Sequence, residues 1–129
     1  MCGFTGYFDP ASEQSDLLIK QMANQLYSRG PDSLGIFTDN SIGISLGHRR
    51  LSILDLSDNG SQPMHSLSKR FIIAFNGEIY NHLNIRKYLE SIEKSIHWHG
   101  HSDTETLVNS VELIGFERTL RLLNGMFSF

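Results

Sequence analysis

Two spacings of apolar residues run through the chain, and they divide it into elements. Gly3 to Phe8 reads as a first strand, turned at Asp9-Pro10. A helix over about Glu13 to Tyr27 follows, because Ile19, Met22, Ala23 and Leu26 fall on one helical face. Arg29-Gly30-Pro31-Asp32 stops it, since proline cannot continue a helix and restricts the residue before it. Ser33 to Thr38 reads as a strand and Asp39-Asn40-Ser41 as a turn. Ile42, Ile44 and Leu46 then alternate at strand period, and the alternation carries on to His48 and Arg50. Arg50, not Arg49, therefore shares the face of the apolar side chains.

The second half opens with a polar loop over Leu56 to Met64. Phe71 to Phe75 is short and continuously apolar, which predicts a strand covered on both faces. Asn76-Gly77 predicts a tight turn at its end. Asn81 is expected to cap a helix over His82 to Ile92, with Ile85, Tyr88, Leu89 and Ile92 as its buried stripe. Ser95 to His99 predicts a short strand. Ser102 and Glu105 have capping-box spacing ahead of a helix that buries Leu107, Val108, Val111 and Ile114 and ends at Gly115. Phe116 to Leu123 predicts a short helix and Asn124-Gly125 a turn. Met126 to Phe129 reads as a strand cut while under way, so the chain is expected to be a fragment.

Length and charge narrow the class. The 129 residues suit one domain with a real core, and a formal net charge of −3 with no basic cluster argues against a nucleic-acid or membrane surface. One cysteine excludes an internal disulfide and fits a reducing compartment. The start lacks a secretory pattern and the longest apolar run is too short to cross a bilayer, so a soluble cytoplasmic protein is expected. Glycine-rich phosphate loops are missing.

That single cysteine, Cys2, stands directly behind Met1. Trimming of Met1 would place a thiol and a free α-amine on one residue, a nucleophile with its own base attached. The amine titrates near pH ~8 and the thiol near ~8.5, so some of each reactive form exists at neutral pH. An N-terminal amine acting as base for a side-chain nucleophile is an established arrangement. The plainer alternative is a small half-buried cysteine beginning a core strand.

Other pieces carry candidate chemistry: Arg29-Gly30-Pro31-Asp32, His48-Arg49-Arg50-Leu51-Ser52-Ile53, Asn76-Gly77-Glu78-Ile79-Tyr80-Asn81, Ser102-Asp103-Thr104-Glu105, and Gly125-Met126-Phe127. Alone, each is an ordinary turn, strand end or helix cap. Together with Met1-Cys2-Gly3, and in this order, they resemble the glutamine-hydrolysing domain of class II amidotransferases, the N-terminal-nucleophile type. The Trp-Ala-Thr-His-Gly segment of the aminosugar and purine branches is missing, which favours the asparagine synthetase branch.

The resemblance implies an α+β fold, the four-layer αββα sandwich of N-terminal-nucleophile hydrolases, incomplete at the C-terminus. It implies that residues 1–129 form a glutaminase domain converting L-glutamine to glutamate and ammonia. Cys2 would attack the side-chain amide, with its own α-amine as base. The Asn76 side chain and the Gly77 N–H would stabilise the oxyanion. Arg50 would clamp the α-carboxylate, bidentate as lysine cannot be. Glu78 and Asp103 would take the α-ammonium. Gly30-Pro31-Asp32 is expected to shape a nearby loop and His48 to be structural. No metal or cofactor is expected in this domain. ATP and magnesium would belong to a missing synthetase domain, supplied in cis or in trans, that consumes the ammonia.

The family domain continues beyond the Gly-Met-Phe segment, so open sheet edges and apolar faces are expected, covered by pairing with a second copy. Two further readings stay open. The fragment could be a binding or self-associating module without activity. His97, His99 and His101, which would share one face of a strand, could bind a transition metal, although no thiol or carboxylate completes a zinc-like spacing.

Overall fold

A computed structural model of the chain describes residues 2–11, 15–52 and 57–129. Met1, Glu13, Ile53 and Leu56 lie outside the described residues, and with them the trimming site, the expected helix start, the end of the arginine motif and the expected loop start.

The described elements alternate in a mixed α/β order: β1 (Gly3–Phe8), α1 (Ser15–Asn24), β2 (Ser33–Asp39), β3 (Ile44–Arg50), a 3-10 turn (Asp58–Gly60), β4 (Met64–His65), β5 (Ile72–Ile73), β6 (Asn76–Ile79), α2 (His82–Ile92), α3 (Asp103–Ile114), α4 (Phe116–Leu122) and β7 (Gly125–Ser128). Strand β3 is the centre of an antiparallel sheet ordered β1-β3-β2, with Gly3 opposite Arg49 and Ser33 opposite Arg50. β4 pairs with β5, and β6 with β7, both antiparallel.

The two faces of β3 meet different neighbours. Gly47 faces α1 so closely that a Cβ there would lie 2.9 Å from the Ala23 Cβ and 3.2 Å from Ile19 Cγ1, which is how the predicted stripe of α1 is buried. His48 and Arg50 point the other way and are buried. Past the sheet lies the main apolar cluster, formed by Met64, Ile73, Phe75, Ile79, Ile85, Leu89, Leu107 and Val108. It joins β4, β5 and β6 to α2 and α3, and burial of side chains of this size supplies about 1.5–3 kcal/mol each.

Several expectations are corrected. α1 ends at Asn24, and residues 25–29 are turns in which the amides of Gln25, Leu26, Tyr27 and Arg29 reach back three residues, as in Arg29 N–H to Leu26 O at 3.0 Å. Ile42 lies in the turn before β3 and is exposed. Of Phe71 to Phe75 only Ile72–Ile73 is strand. Asn76-Gly77 is the start of β6 rather than a turn, because Gly77 pairs with Phe127 far along the chain. Likewise Gly125 opens β7. Asn81 stands at the N-cap of α2 as expected, but its side chain makes no capping bond: Nδ2 donates to Leu122 O at 2.8 Å and Oδ1 accepts Asn124 N–H at 3.0 Å. Ile92 is half exposed, and Arg86 is buried on α2 in its place.

Residues 95–99 form no strand. Their neighbours are fixed instead by a buried ion pair. Arg86 Nη2 meets Glu105 Oε2 at 3.0 Å, and the guanidinium also donates to Thr106 Oγ1, Gly100 O and Ser102 O. Glu105 accepts the His99 and Gly100 amides at 2.7 and 3.1 Å. The capping box is thus half made: Ser102 Oγ accepts Glu105 N–H at 3.2 Å, while the glutamate side chain turns to the preceding loop.

No helix among the described residues is long and apolar enough to cross a membrane. Phe127 stacks on Phe129, and Phe116 meets Phe129 edge to face; all three are partly exposed.

Candidate functional site

Register places the thiol. Gly3 pairs with Arg49, so Cys2 continues the ladder alongside Arg50 and Leu51. Leu51 N–H points at Cys2 Sγ at 3.3 Å, and Leu51 O lies 3.6 Å from it. Arg29 Nε donates to Cys2 O at 3.1 Å, which fixes the backbone on the other side. The Arg29-Gly30-Pro31-Asp32 segment packs on the end of β3: a Cβ on Gly30 would sit 2.3 Å from Arg49 O. Asp32 donates its amide to Arg50 O at 3.0 Å and accepts Ser52 N–H at 2.8 Å. This segment shapes the exit from β3, as the sequence suggested.

Arg50 is buried at the end of β3, with Nη1 donating to Ser57 O at 2.9 Å and Gly60 packed against its guanidinium. Asp103 begins α3, where the positive end of the helix dipole favours a carboxylate. Its Oδ2 accepts Ile79 N–H at 2.8 Å and its Oδ1 accepts Thr104 N–H at 2.9 Å, so it ties β6 to α3. Asn76, Gly77 and Glu78 follow one another along β6.

Cys2, Arg50, Asn76, Gly77, Glu78 and Asp103 all line one cavity of about 180 Å³. The six residues singled out in the sequence, Cys2 just ahead of β1 and the other five on β3, β6 and α3, are therefore brought together. Leu51 and Thr104, which the motifs contained without a role, line it as well, and so do Gly60 and Gln62, which had drawn no attention in the sequence. Gln62 stood in a polar loop before a proline, and its partners are too distant in sequence to be read locally.

Charge in the cavity is asymmetric, one guanidinium against two carboxylates, with a thiol beside them. Such a lining suits a small ligand bearing both a carboxylate and an ammonium. His48 is close by without lining it. Its Nε2 is 3.0 Å from Phe75 O, and burial, reinforced by the Arg50 charge, lowers its pKa from the ordinary value although the Phe75 contact works the other way. The ring is therefore neutral near pH 7, with Nε2–H donating and Nδ1 left as an unpartnered lone pair. His97, His99 and His101 are exposed, and among the described residues no group of three or more His, Cys, Asp or Glu side chains could hold a metal.

The mixed α/β fold thus sets a thiol, a guanidinium and two carboxylates around one cavity. The chain belongs to the glutamine amidotransferase domain family, whose model matches residues 1–129. It is 42% identical over 133 residues to asparagine synthetase [glutamine-hydrolyzing] 1 of Bacillus subtilis, covering all of this chain and 20% of that protein. Asparagine synthetase B [glutamine-hydrolyzing] of Escherichia coli is 36% identical over 133 residues, again with the whole chain and 22% of the relative covered. A putative asparagine synthetase [glutamine-hydrolyzing] 2 of Methanocaldococcus jannaschii is 34% identical over 145 residues, covering the whole chain and 27% of the relative. The chain thus spans about a fifth to a quarter of the length of these relatives.

Proposed function

We propose that this chain hydrolyses L-glutamine to glutamate and ammonia, with Cys2 as nucleophile once Met1 has been removed. The observation that carries the reading is the convergence of Cys2, Arg50, Asn76, Gly77, Glu78 and Asp103 on one cavity. Arg50 binds the α-carboxylate of glutamine, and Glu78 and Asp103 bind its α-ammonium. That leaves the side-chain amide to reach Cys2 at the opposite end.

The Cys2 α-amine takes the thiol proton, and sulfur attacks the amide carbon. A tetrahedral oxyanion forms, held by the Asn76 side-chain amide and the Gly77 N–H. On collapse the leaving NH2 group takes a proton from the α-ammonium of Cys2 and departs as ammonia. Water then cleaves the thioester, releasing glutamate and restoring the thiol. Each oxyanion donor is worth about 10²–10³ in rate. Leu51 N–H, already aimed at sulfur at 3.3 Å, gives the thiolate a donor.

The ammonia is consumed by a synthetase-type domain in cis or in trans, with ATP and magnesium acting there and no cofactor in this domain. Relatives named as glutamine-hydrolysing asparagine synthetases support that assignment. The packing of α1 on one face of the β1-β3-β2 sheet, with β4, β5, β6, α2 and α3 beyond the other, supports a four-layer αββα order. The test is ammonia release from glutamine by the full chain, with intact mass to establish loss of Met1. Cys2→Ala should abolish release; equal rates in the variant sink the mechanism.

A further inference from the structure

Ala74 and Phe75 run from β5 to β6 without ladder pairing, yet both are buried. Buried backbone groups need partners. Phe75 finds both in side chains: its N–H donates to Gln62 Oε1 at 2.6 Å, and its carbonyl accepts from His48 Nε2. The other end of the Gln62 amide is also taken, since Nε2 donates to Thr104 Oγ1 at 3.2 Å. Phe75 directly precedes Asn76, and Thr104 directly follows Asp103. Gln62 is itself pinned from behind. Its carbonyl lies so close to β2 that a Cβ on Gly35 would fall 1.8 Å from that oxygen.

We propose that Gln62 is a positioning residue: its side-chain amide sets the spacing between the strand bearing Asn76 and Gly77 and the helix bearing Asp103. The proposal rests on the glutaminase reading above. One arm of the amide holds the oxyanion donors at the end where the bond breaks. The other holds the carboxylate that receives the α-ammonium. Both ends being occupied by protein, Gln62 acts through Phe75 and Thr104 rather than on substrate. The two arms have separable kinetic consequences. Misplacing Asp103 weakens ground-state binding and raises KM, whereas misplacing Asn76 and Gly77 weakens the transition state and lowers kcat.

The experiment is steady-state glutaminase kinetics on the full chain, normalised to folded protein by circular dichroism. Thr104→Val cuts the helix arm alone. KM for glutamine is expected to rise about 5–10-fold with kcat within about twofold, the scale of one missing hydrogen bond. Gln62→Met cuts both arms, and a similar rise in KM is expected with a kcat loss of about 10–100-fold, less than deletion of an oxyanion donor. Wild-type KM and kcat in both variants, with only a lower Tm, overturn the proposal. Should Gln62→Met fail to fold, Thr104→Val decides: a raised KM with near-normal kcat supports the proposal, and an unchanged KM overturns it. Wild-type protein without Cys2-dependent hydrolysis sinks the glutaminase reading and this proposal with it; active wild type with kinetically silent variants sinks this proposal alone.

Discussion

Gly60 lies flat against the guanidinium of Arg50: a Cβ built on Gly60 would fall 2.0 Å from Nη2 and 2.7 Å from Cζ. The 3-10 turn that carries Gly60 is thus the back wall of the Arg50 side chain. No backbone atom is among those a Cβ would meet first, so the fold can accept a methyl group by swinging the arginine aside. Gly60→Ala is therefore expected to leave Tm within a few degrees while displacing the proposed carboxylate clamp. Bending or breaking a bidentate arginine–carboxylate pair costs about 1.5–3 kcal/mol, so KM for glutamine should rise about 10–100-fold. Glutaminase kinetics beside a thermal melt checks this. A wild-type KM would show that Arg50 does not bind substrate from this position.

Gly77 presents the opposite case. Its Cβ would meet backbone, 2.3 Å from Met126 O and 2.5 Å from Phe127 Cα, and its φ is +151°. Backbone of a paired strand cannot move aside as a flexible side chain can. Gly77→Ala is expected to cost about 1–3 kcal/mol by overpacking and to part β6 from β7. Because the Gly77 N–H is a proposed oxyanion donor, kcat should fall with it. Urea denaturation gives the first effect and kinetics on the folded fraction gives the second.

These glycines show where sequence is legible and where it is not. β1, β3, α2 and α3 are read correctly because a period of two or of 3.6 is written into Ile44, Leu46 and His48, or into Ile85 and Leu89, by the face each must bury. The candidate site was legible for another reason: each motif is short and contiguous, so its residues travel together onto one strand end or helix start. Asn76-Gly77 was misread because local turn preference is weaker than pairing with Phe127, a partner far along the chain that no local window contains. Asn81 holds the N-cap position that was read from the sequence, but its side chain is drawn from the helix to distant partners, Leu122 and Asn124. The strand expected at 95–99 is replaced by a loop that Arg86 and Glu105 hold from a distance. Gln62 was invisible, since nothing in its neighbours announces Phe75 or Thr104.

Arg86 carries a stability prediction. Its guanidinium is buried between Glu105, the carbonyls of Gly100 and Ser102, and the Trp98 ring at 4.2 Å. Removing one partner of a buried pair strands the other charge, at a cost of about 3–5 kcal/mol. Glu105 would keep the His99 and Gly100 amides, so Arg86→Met should fall at the lower end, about 3 kcal/mol. Trp98 is the single tryptophan, so its fluorescence reports directly on this loop. A red-shifted emission in the folded variant, with a urea midpoint well below wild type, is the expected pair of results. An unshifted spectrum would mean that the loop holds its place without the arginine.

Acid sensitivity follows from His48. Its Nε2–H is spent on Phe75 O, and a second proton would have to sit on Nδ1, which is buried without a partner. Burial first, and the Arg50 charge second, therefore hold its pKa below the ordinary 6.5, with the Phe75 contact opposing. The folded protein refuses a proton that the unfolded chain accepts as pH drops through 6.5. In that window the unfolded state binds more protons, so stability falls as pH falls and levels off once His48 is protonated in both states. His82 adds to the same slope, its pKa lowered chiefly by burial and also by Arg86, against the pull of Asp103 and Glu78. The urea midpoint is thus expected to decline between about pH 7.5 and 5.5. His48→Gln keeps an N–H for Phe75 O and cannot titrate, so its decline should be shallower than wild type. An identical slope in the two proteins would mean that His48 takes up its proton as readily folded as unfolded.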